Sequence, residues 1–325
     1  MHRRHPRLHA LYQRLGAILD GDTSDEEIAR FLCDLSDRGE TADEIAGAAR
    51  ALRARLIPVE APEGAIDVCG TGGDGHHTLN VSTAVSLVVA AAGVPVAKHG
   101  NRAASSKAGA ADTLEALGLD MEAAGRTAEK TLADIGICFL FAKNHHPAMG
   151  RIQPIRQRLG RRTIFNLMGP LSNPAGVTRQ LIGIARPAYV PIYAEAKARL
   201  GSERTLIVSG DEGLDELSLA GGNEVAEVRG REWEMRRARA ADAGLPTAPI
   251  EAIRGGDAAH NAKALKALLM GAPGPYRDAV LFNAGAALMI AGRAADYAEG
   301  AVLAAEALDS GAAEALLARW IDLAR

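Results

Sequence analysis

Residues 65–83 read Ala65-Ile66-Asp67-Val68-Cys69-Gly70-Thr71-Gly72-Gly73-Asp74-Gly75-His76-His77-Thr78-Leu79-Asn80-Val81-Ser82-Thr83. The run Ala65–Cys69 is short, mostly apolar and closed by glycine, which predicts a buried strand, and the residues after Thr78 open a helix. Glycines between a strand and a helix let the main chain approach a phosphate, and the free N–H groups of the helix end favour an anion. The spacing is neither that of a P-loop, which needs Gly-Lys-Ser/Thr after its glycines, nor that of the dinucleotide fingerprint. On glycine count alone a bare turn explains the segment equally well.

Further short apolar runs predict strands at Val94–Lys98, Ile137–Phe141, Gln180–Ile184, Thr205–Ser209 and Val225–Val228. Helical, alanine-rich stretches separate most of them. Such alternation predicts an α/β fold with a mostly parallel central sheet flanked by helices. Upstream the pattern is all helical. Leu8, Leu11, Leu15, Ile18 and Leu19 recur at helical spacing, and Ser24 with Glu27 and Thr41 with Glu44 form two capping boxes that open the next two helices. Pro58 and Pro62 then break the chain, so the expected division is a small helical domain over 1–62 and a large α/β domain over 63–325.

The 325 residues are 48% hydrophobic and 24% charged, enough apolar content to build cores of this size. A net charge of −3 leaves no electrostatic footprint for nucleic acid. Cys33, Cys69 and Cys138 are odd in number and show no C-x-x-C spacing, which fits reduced thiols in a cytoplasm rather than a disulfide scaffold. The apolar stretch 85–97 is interrupted by Ser86, Gly93 and Pro95 and is too short to span a membrane. Arg3 and Arg4 precede no continuous apolar run, so no secretory signal is expected.

Ligands of open α/β sheets bind beyond the carboxyl ends of the strands, which directs attention to the loops there. One loop carries Lys98-His99-Gly100-Asn101-Arg102 followed by Ser105 and Ser106, a set of cations, amide and hydroxyls suited to a polyphosphate, although a solvated turn would look the same. Asn144-His145-His146-Pro147, followed by Arg151 and Arg156, lacks the matched spacing of a zinc site. Asp215-Glu216 is the best carboxylate pair, since hard oxygen ligands beside a phosphate loop are what Mg2+ uses. Cys69 has no base placed beside it by sequence.

Taken together, Gly70–Gly75 with Asn80-Val81-Ser82-Thr83, Lys98–Arg102 with Ser105-Ser106, His145-His146-Pro147-Ala148-Met149, and the run from Arg162-Thr163-Ile164-Phe165-Asn166 to Pro174 resemble the anthranilate phosphoribosyltransferase family. The likeness continues through Asp215-Glu216, Gly255-Gly256-Asp257 with Asn261, and Asn283. It implies a pentosyltransferase of tryptophan biosynthesis that moves phosphoribose from 5-phosphoribosyl 1-diphosphate to the amine of anthranilate. It also implies a homodimer paired through the helical domain, which residues from 145–175 help to complete. By the resemblance the donor contacts Gly70, Gly73, Asp74, Thr78, Asn80, Val81, Ser82, Thr83, Lys98, His99, Gly100, Asn101, Arg102, Ala103, Ala104, Ser105 and Ser106. Mg2+ is implied at Ser82, Asp215 and Glu216. Anthranilate is implied against Gly70, Asn101 and His145, with Arg156 on its carboxylate, and no general base is assigned.

The chain departs from the family pattern at Ala110, where a serine hydroxyl is usual, a loss of about 0.5–1.5 kcal/mol of donor binding if nothing replaces it. Lys143 stands for the common proline and Gly150 for a basic residue. The amino end, with His2, Arg3, Arg4, His5 and Arg7, replaces a usual first helical segment. Pyrimidine-nucleoside phosphorylases share the fold, but their phosphate and base motifs differ from Lys98–Arg102 and Arg156. A non-catalytic nucleic-acid binder on this scaffold would call for a basic surface.

Overall fold

The computed structural model describes residues 6–102 and 107–325. The amino-end residues His2, Arg3, Arg4 and His5 and the candidate donor residues Ala103, Ala104, Ser105 and Ser106 lie outside the described residues. The chain begins with three helices, α1 (Pro6–Asp20), α2 (Asp25–Arg38) and α3 (Ala42–Arg53). Both expected capping boxes form. The Ser24 hydroxyl accepts from Glu27 N–H while the Glu27 carboxylate accepts from Ser24 N–H, and Thr41 and Glu44 repeat the exchange. Leu15, Ile18, Ile28, Leu32, Ile45 and Leu52 turn inward and pack in one apolar cluster with Ile152, Ile155, Ile164 and Phe165.

Seven strands form one sheet: β1 (Ile66–Gly70), β2 (Val96–Gly100), β3 (Ile137–Phe141), β4 (Arg179–Gly183), β5 (Ser202–Gly210), β6 (Asn223–Gly230) and β7 (Glu232–Ala238). Their order is β3-β2-β1-β4-β5-β6-β7, parallel from β3 through β5 and antiparallel for the last two pairings. The six expected runs are all strands, while β7 was not foreseen. It is an edge strand whose alternation, Trp233 and Met235 between Glu232, Glu234 and Arg236, is short and mostly exposed, and it is held by register with β6 and by the Arg237–Glu224 ion pair.

Alternating side chains sort to the two faces of the sheet. Val68, Leu181, Leu206 and Val208 join the cluster built on α4 (Val81–Ala91) and the helix Pro275–Ile290. Ile182, Ile184, Ile207 and Val228 face the helix Val190–Leu200 and, behind it, α1–α3. The chain runs from β1 to one side and returns through β4 on the other, so β1 and β4 flank the switch point whose carboxyl ends open a crevice. Among the described residues no helix is long and apolar enough to cross a membrane.

The α3 cap is open to a direct test. Replacing Thr41 with Ala removes the acceptor for Glu44 N–H and should lower unfolding free energy by about 1 kcal/mol in a urea titration, whereas an unchanged midpoint would show that the cap contributes nothing.

Candidate functional site

Gly70 and Gly183 end β1 and β4 and face each other in register. Across both lies the loop bearing Asp215. A Cβ on Gly70 would stand 2.3 Å from Asp215 Oδ2, and one on Gly183 would stand 1.5 Å from the Asp215 carbonyl oxygen. The two glycines are therefore what lets this loop rest on the strand ends. Asn283 fastens it from below, accepting from Leu217 N–H at 2.9 Å and donating to Leu217 O at 2.9 Å. From this seat Asp215 accepts the Gly72 N–H at 2.6 Å, tying the carboxylate loop to the glycine loop.

Lys98 is buried beneath these loops. Its amine donates to Val68 O at 2.8 Å and to Ser82 Oγ at 3.2 Å. The Ser82 backbone lies beside the Glu216 carboxylate and favours its charged form, so Ser82 lies between the lysine and the glutamate. Burial and the neighbouring Asp74 charge push the Asp215 carboxyl up, and burial and Asp215 push Glu216 up. Crowded hard oxygen donors held near neutrality are a set that a divalent cation would keep ionised. Among the described residues no three His, Cys, Asp or Glu form a ready metal cage. Magnesium is usually held by one or two carboxylates plus substrate phosphates and water, a smaller protein set than such a cage.

The remaining donor candidates divide by what their side chains already do. Asn80 Oδ1 accepts from Thr113 Oγ1 at 2.6 Å and from Asn261 Nδ2 at 2.8 Å, so this amide braces the start of α4. Thr78 bridges to Arg254 through its backbone, and Val81 and Thr83 are buried in the first turn of α4. Asn101 is exposed and accepts from Arg102 N–H at 2.8 Å. Arg102 donates to Asp112 and Glu115, each at 2.8 Å, and those contacts raise its pKa. Ala110 opens the helix Ala110–Ala116, and Gly109 N–H there donates to Asp112. Gly100 has Phe139 against it, where a Cβ would be 2.7 Å from the ring.

On the other side of the crevice, His145 is buried with Nδ1 donating to Ile57 O at 3.1 Å. The ring's Nε2 therefore carries the lone pair. His99 is fixed the same way, Nδ1 donating to Gly169 O at 2.8 Å, while its buried Nε2 has no partner and its ring lies 5.2 Å from that of His146. Burial pushes His99 and His146 down to about 4. Arg156, half-buried on the helix Met149–Leu159, lies over Phe165 at 6.0 Å and donates to Gln153 at 3.3 Å. Among the described residues no carboxylate pairs with it. A desolvated guanidinium with no anion is suited to a planar carboxylate. Lys143 and Gly150 are exposed nearby on the surface, with open space around Gly150.

Two features escaped the sequence reading. Arg162 appeared there only as part of a run, yet its guanidinium reaches the carbonyls of Gly72 and Gly73. Lys197, buried and pushed down to about 7 by that burial, donates to Gln180, whose amide reaches Asp67 Oδ2 at 3.4 Å, and Asp67 accepts from His99 N–H at 3.1 Å. No local motif announces a network assembled from β1, β2, β4 and a distant helix. Burial pushes the Cys69 thiol up, away from the thiolate a nucleophile needs.

The pattern described as "Glycosyl transferase family, a/b domain" matches residues 62–314, and "Glycosyl transferase family, helical bundle domain" matches 9–56. The anthranilate phosphoribosyltransferase of Erythrobacter litoralis is 81% identical over 95% of this chain and 94% of its own. The chain belongs to the anthranilate phosphoribosyltransferase family. Solved structures of family members agree with the fold. The enzyme of Thermus thermophilus has a TM-score of 0.89 at 44% identity, covering 97% of this chain and 94% of its own. The Saccharomyces cerevisiae enzyme, solved in complex with PRPP and Mg, has a TM-score of 0.87 at 30% identity, covering 98% and 93%.

Neutral buried imidazoles give this family member a pH signature. Between about 4 and the ordinary value near 6.5, the unfolded chain binds protons that folded His99 and His146 exclude. Their contribution is complete above that window and is lost as pH falls through it, by at most ~1.4 kcal/mol per pH unit for each group. His99→Asn should flatten the loss measured by denaturation across this range, and an unchanged slope would show that His99 is not held neutral.

Proposed function

We propose that this chain transfers phosphoribose from 5-phosphoribosyl 1-diphosphate to the amine of anthranilate, giving N-(5-phosphoribosyl)anthranilate and diphosphate in L-tryptophan biosynthesis. The observation that carries this reading is the placement of Asp215 and Glu216 over the Gly70–Gly183 strand ends beside the glycine loop. We assign the donor to Gly70, Gly73, Asp74, Thr78, Asn80, Val81, Ser82, Thr83 and the segment Lys98–Arg102. Ala103, Ala104, Ser105 and Ser106 join them on the resemblance alone. Because Asn80 and Arg102 already brace neighbouring segments, their share is to hold the loops in shape.

We assign Ser82, Asp215 and Glu216 to hold Mg2+, which when bound with the donor would supply positive charge to the diphosphate leaving group. Lys98 supplies fixed positive charge under the same site. Anthranilate is assigned to the space bounded by Gly70, Asn101, His145 and Arg156, the arginine taking the carboxylate and so aiming the amine at the ribose. An aromatic amine is neutral at pH 7 and needs no prior deprotonation. His145 Nε2 is poised to accept a hydrogen bond rather than donate one. Alignment of donor and acceptor supplies several kcal/mol of rate enhancement, with ~7–11 kcal/mol as its ceiling.

The proposal includes two domains, 1–62 and 63–325, with part of 145–175 joining the first. The shared apolar cluster of α1–α3 with Ile152, Ile155, Ile164 and Phe165 supports that grouping. Closure about Pro58–Pro62 would exclude water from the donor. A homodimer through the helical domain and a cytoplasmic location complete the reading.

Purified protein given Mg2+, 5-phosphoribosyl 1-diphosphate and anthranilate should consume anthranilate fluorescence and release diphosphate in equal amounts, and a chelator should stop both. Diphosphate release without loss of anthranilate would point to a different acceptor. Arg156→Ala should raise the anthranilate KM ~10–100-fold, the value of one charged hydrogen-bonded contact of ~1.5–3 kcal/mol, while leaving donor KM in place. A wild-type anthranilate KM in that variant would remove Arg156 from the acceptor site.

A further inference from the structure

Arg162 follows the C-terminal glycine of the helix Met149–Leu159 by two residues and stands where α2 meets the glycine loop. Its own carbonyl accepts from Ser36 Oγ on α2 at 3.0 Å, and its neighbour Arg161 pairs with Asp37. On the other side, one terminal nitrogen of Arg162 donates to Gly72 O at 3.2 Å and to Gly73 O at 3.0 Å. The approach is close: a Cβ on Gly73 would stand 2.7 Å from that nitrogen. Gly72 and Gly73 both adopt positive φ, +68° and +73°, a path that glycine follows without strain.

In a trans peptide unit the C=O of one residue and the N–H of the next point in opposite directions. Holding the carbonyls of Gly72 and Gly73 on the Arg162 side therefore turns the N–H groups of Gly73 and Asp74 to the other side. No described group accepts from either N–H. Successive N–H groups turned the same way form a concave anion seat. Left unheld, the same two carbonyls would be free to rotate toward the anion and repel it.

We infer that Arg162 is a positioning residue: it binds no substrate, but by gripping two consecutive carbonyls it presets the Gly73 and Asp74 amides to receive a phosphate oxygen of the donor. This rests on the donor reading given above. It also makes donor affinity depend on the junction with α2, because Arg162 is anchored to Ser36 through its backbone. An adjoining cavity is lined by Ser36, Glu40, Thr163, Arg186 and Tyr189.

The test uses the whole protein with Mg2+ and inorganic diphosphate as the probe. Calorimetry would give the dissociation constant, and amide resonances of Gly73 and Asp74 would report the seat. Wild type should bind and shift both amides. Arg162→Gln should bind ~10-fold or more weakly, lose those two shifts, and keep the anthranilate KM, a split that general destabilisation would not produce. Arg162→Lys, which keeps the charge but ends one bond short of the terminal nitrogen that makes both contacts, should still lose ~3-fold or more, and it decides the matter if the Gln variant does not fold. Wild-type affinity in both variants would overturn the inference. Weakened binding with both amide shifts intact would also overturn it, because Arg162 would then contact the anion itself. Failure of wild type to shift Gly73 and Asp74 while binding diphosphate would refute the seat, and failure of wild type to bind at all would refute the donor reading beneath it.

Discussion

The contact on which the rest of the site depends is the one between the Asp215 loop and two strand ends that lack side chains. β1 and β4 are neighbours at the switch point of the sheet, and each ends in glycine in the same register. Any Cβ at Gly183 would overlap the Asp215 backbone, so the absence of two methyl groups lets an acidic loop lie flat over the crevice. That seating brings together segments far apart in sequence. Through Gly72 N–H it orients the glycine loop, and through Glu216 and Ser82 it reaches the head of α4 and the Lys98 amine.

This packing has an electrostatic consequence. Asp215 and Glu216 are crowded beside Asp74 where burial disfavours the charged forms of the first two, with Lys98 beneath. Folding holds the carboxyls in a costly arrangement, and a divalent cation arriving with a polyphosphate relieves it. On the acceptor side the cost has the opposite sign. Arg156 is a half-buried cation with no anion among the described residues, and burial lowers its pKa. An acidic loop waiting for a cation and a cation waiting for a carboxylate describe two sub-sites of different chemistry in one crevice.

The fold was largely legible because its signals are local. Capping boxes at Ser24 and Thr41 and the apolar runs of β1–β6 each need only a few neighbouring residues to be read. The edge strand β7 was not legible, because Glu232, Glu234, Arg236 and Arg237 face water and only pairing with β6 makes them a strand. At the site, sequence singled out the residue types but not their burdens. Nothing local to Asn80 tells that its amide is shared with Thr113 and Asn261, nor that Arg102 is held by Asp112 and Glu115. Arg162 and the Lys197–Gln180–Asp67 chain were invisible for the same reason, since their partners lie 90 residues away or on other strands.

The central claim is that glycine at the end of β4 positions the carboxylates for a metal-bound donor. The most direct measurement is the dissociation constant of 5-phosphoribosyl 1-diphosphate, with Mg2+ and with chelator, for wild type and Gly183→Ala. The account predicts Mg2+-dependent binding in wild type, and in the variant a loss of about tenfold or more together with most of the Mg2+ dependence, at unchanged helix content. A Gly183→Ala protein that binds the donor as wild type does, with the same Mg2+ dependence, would contradict it.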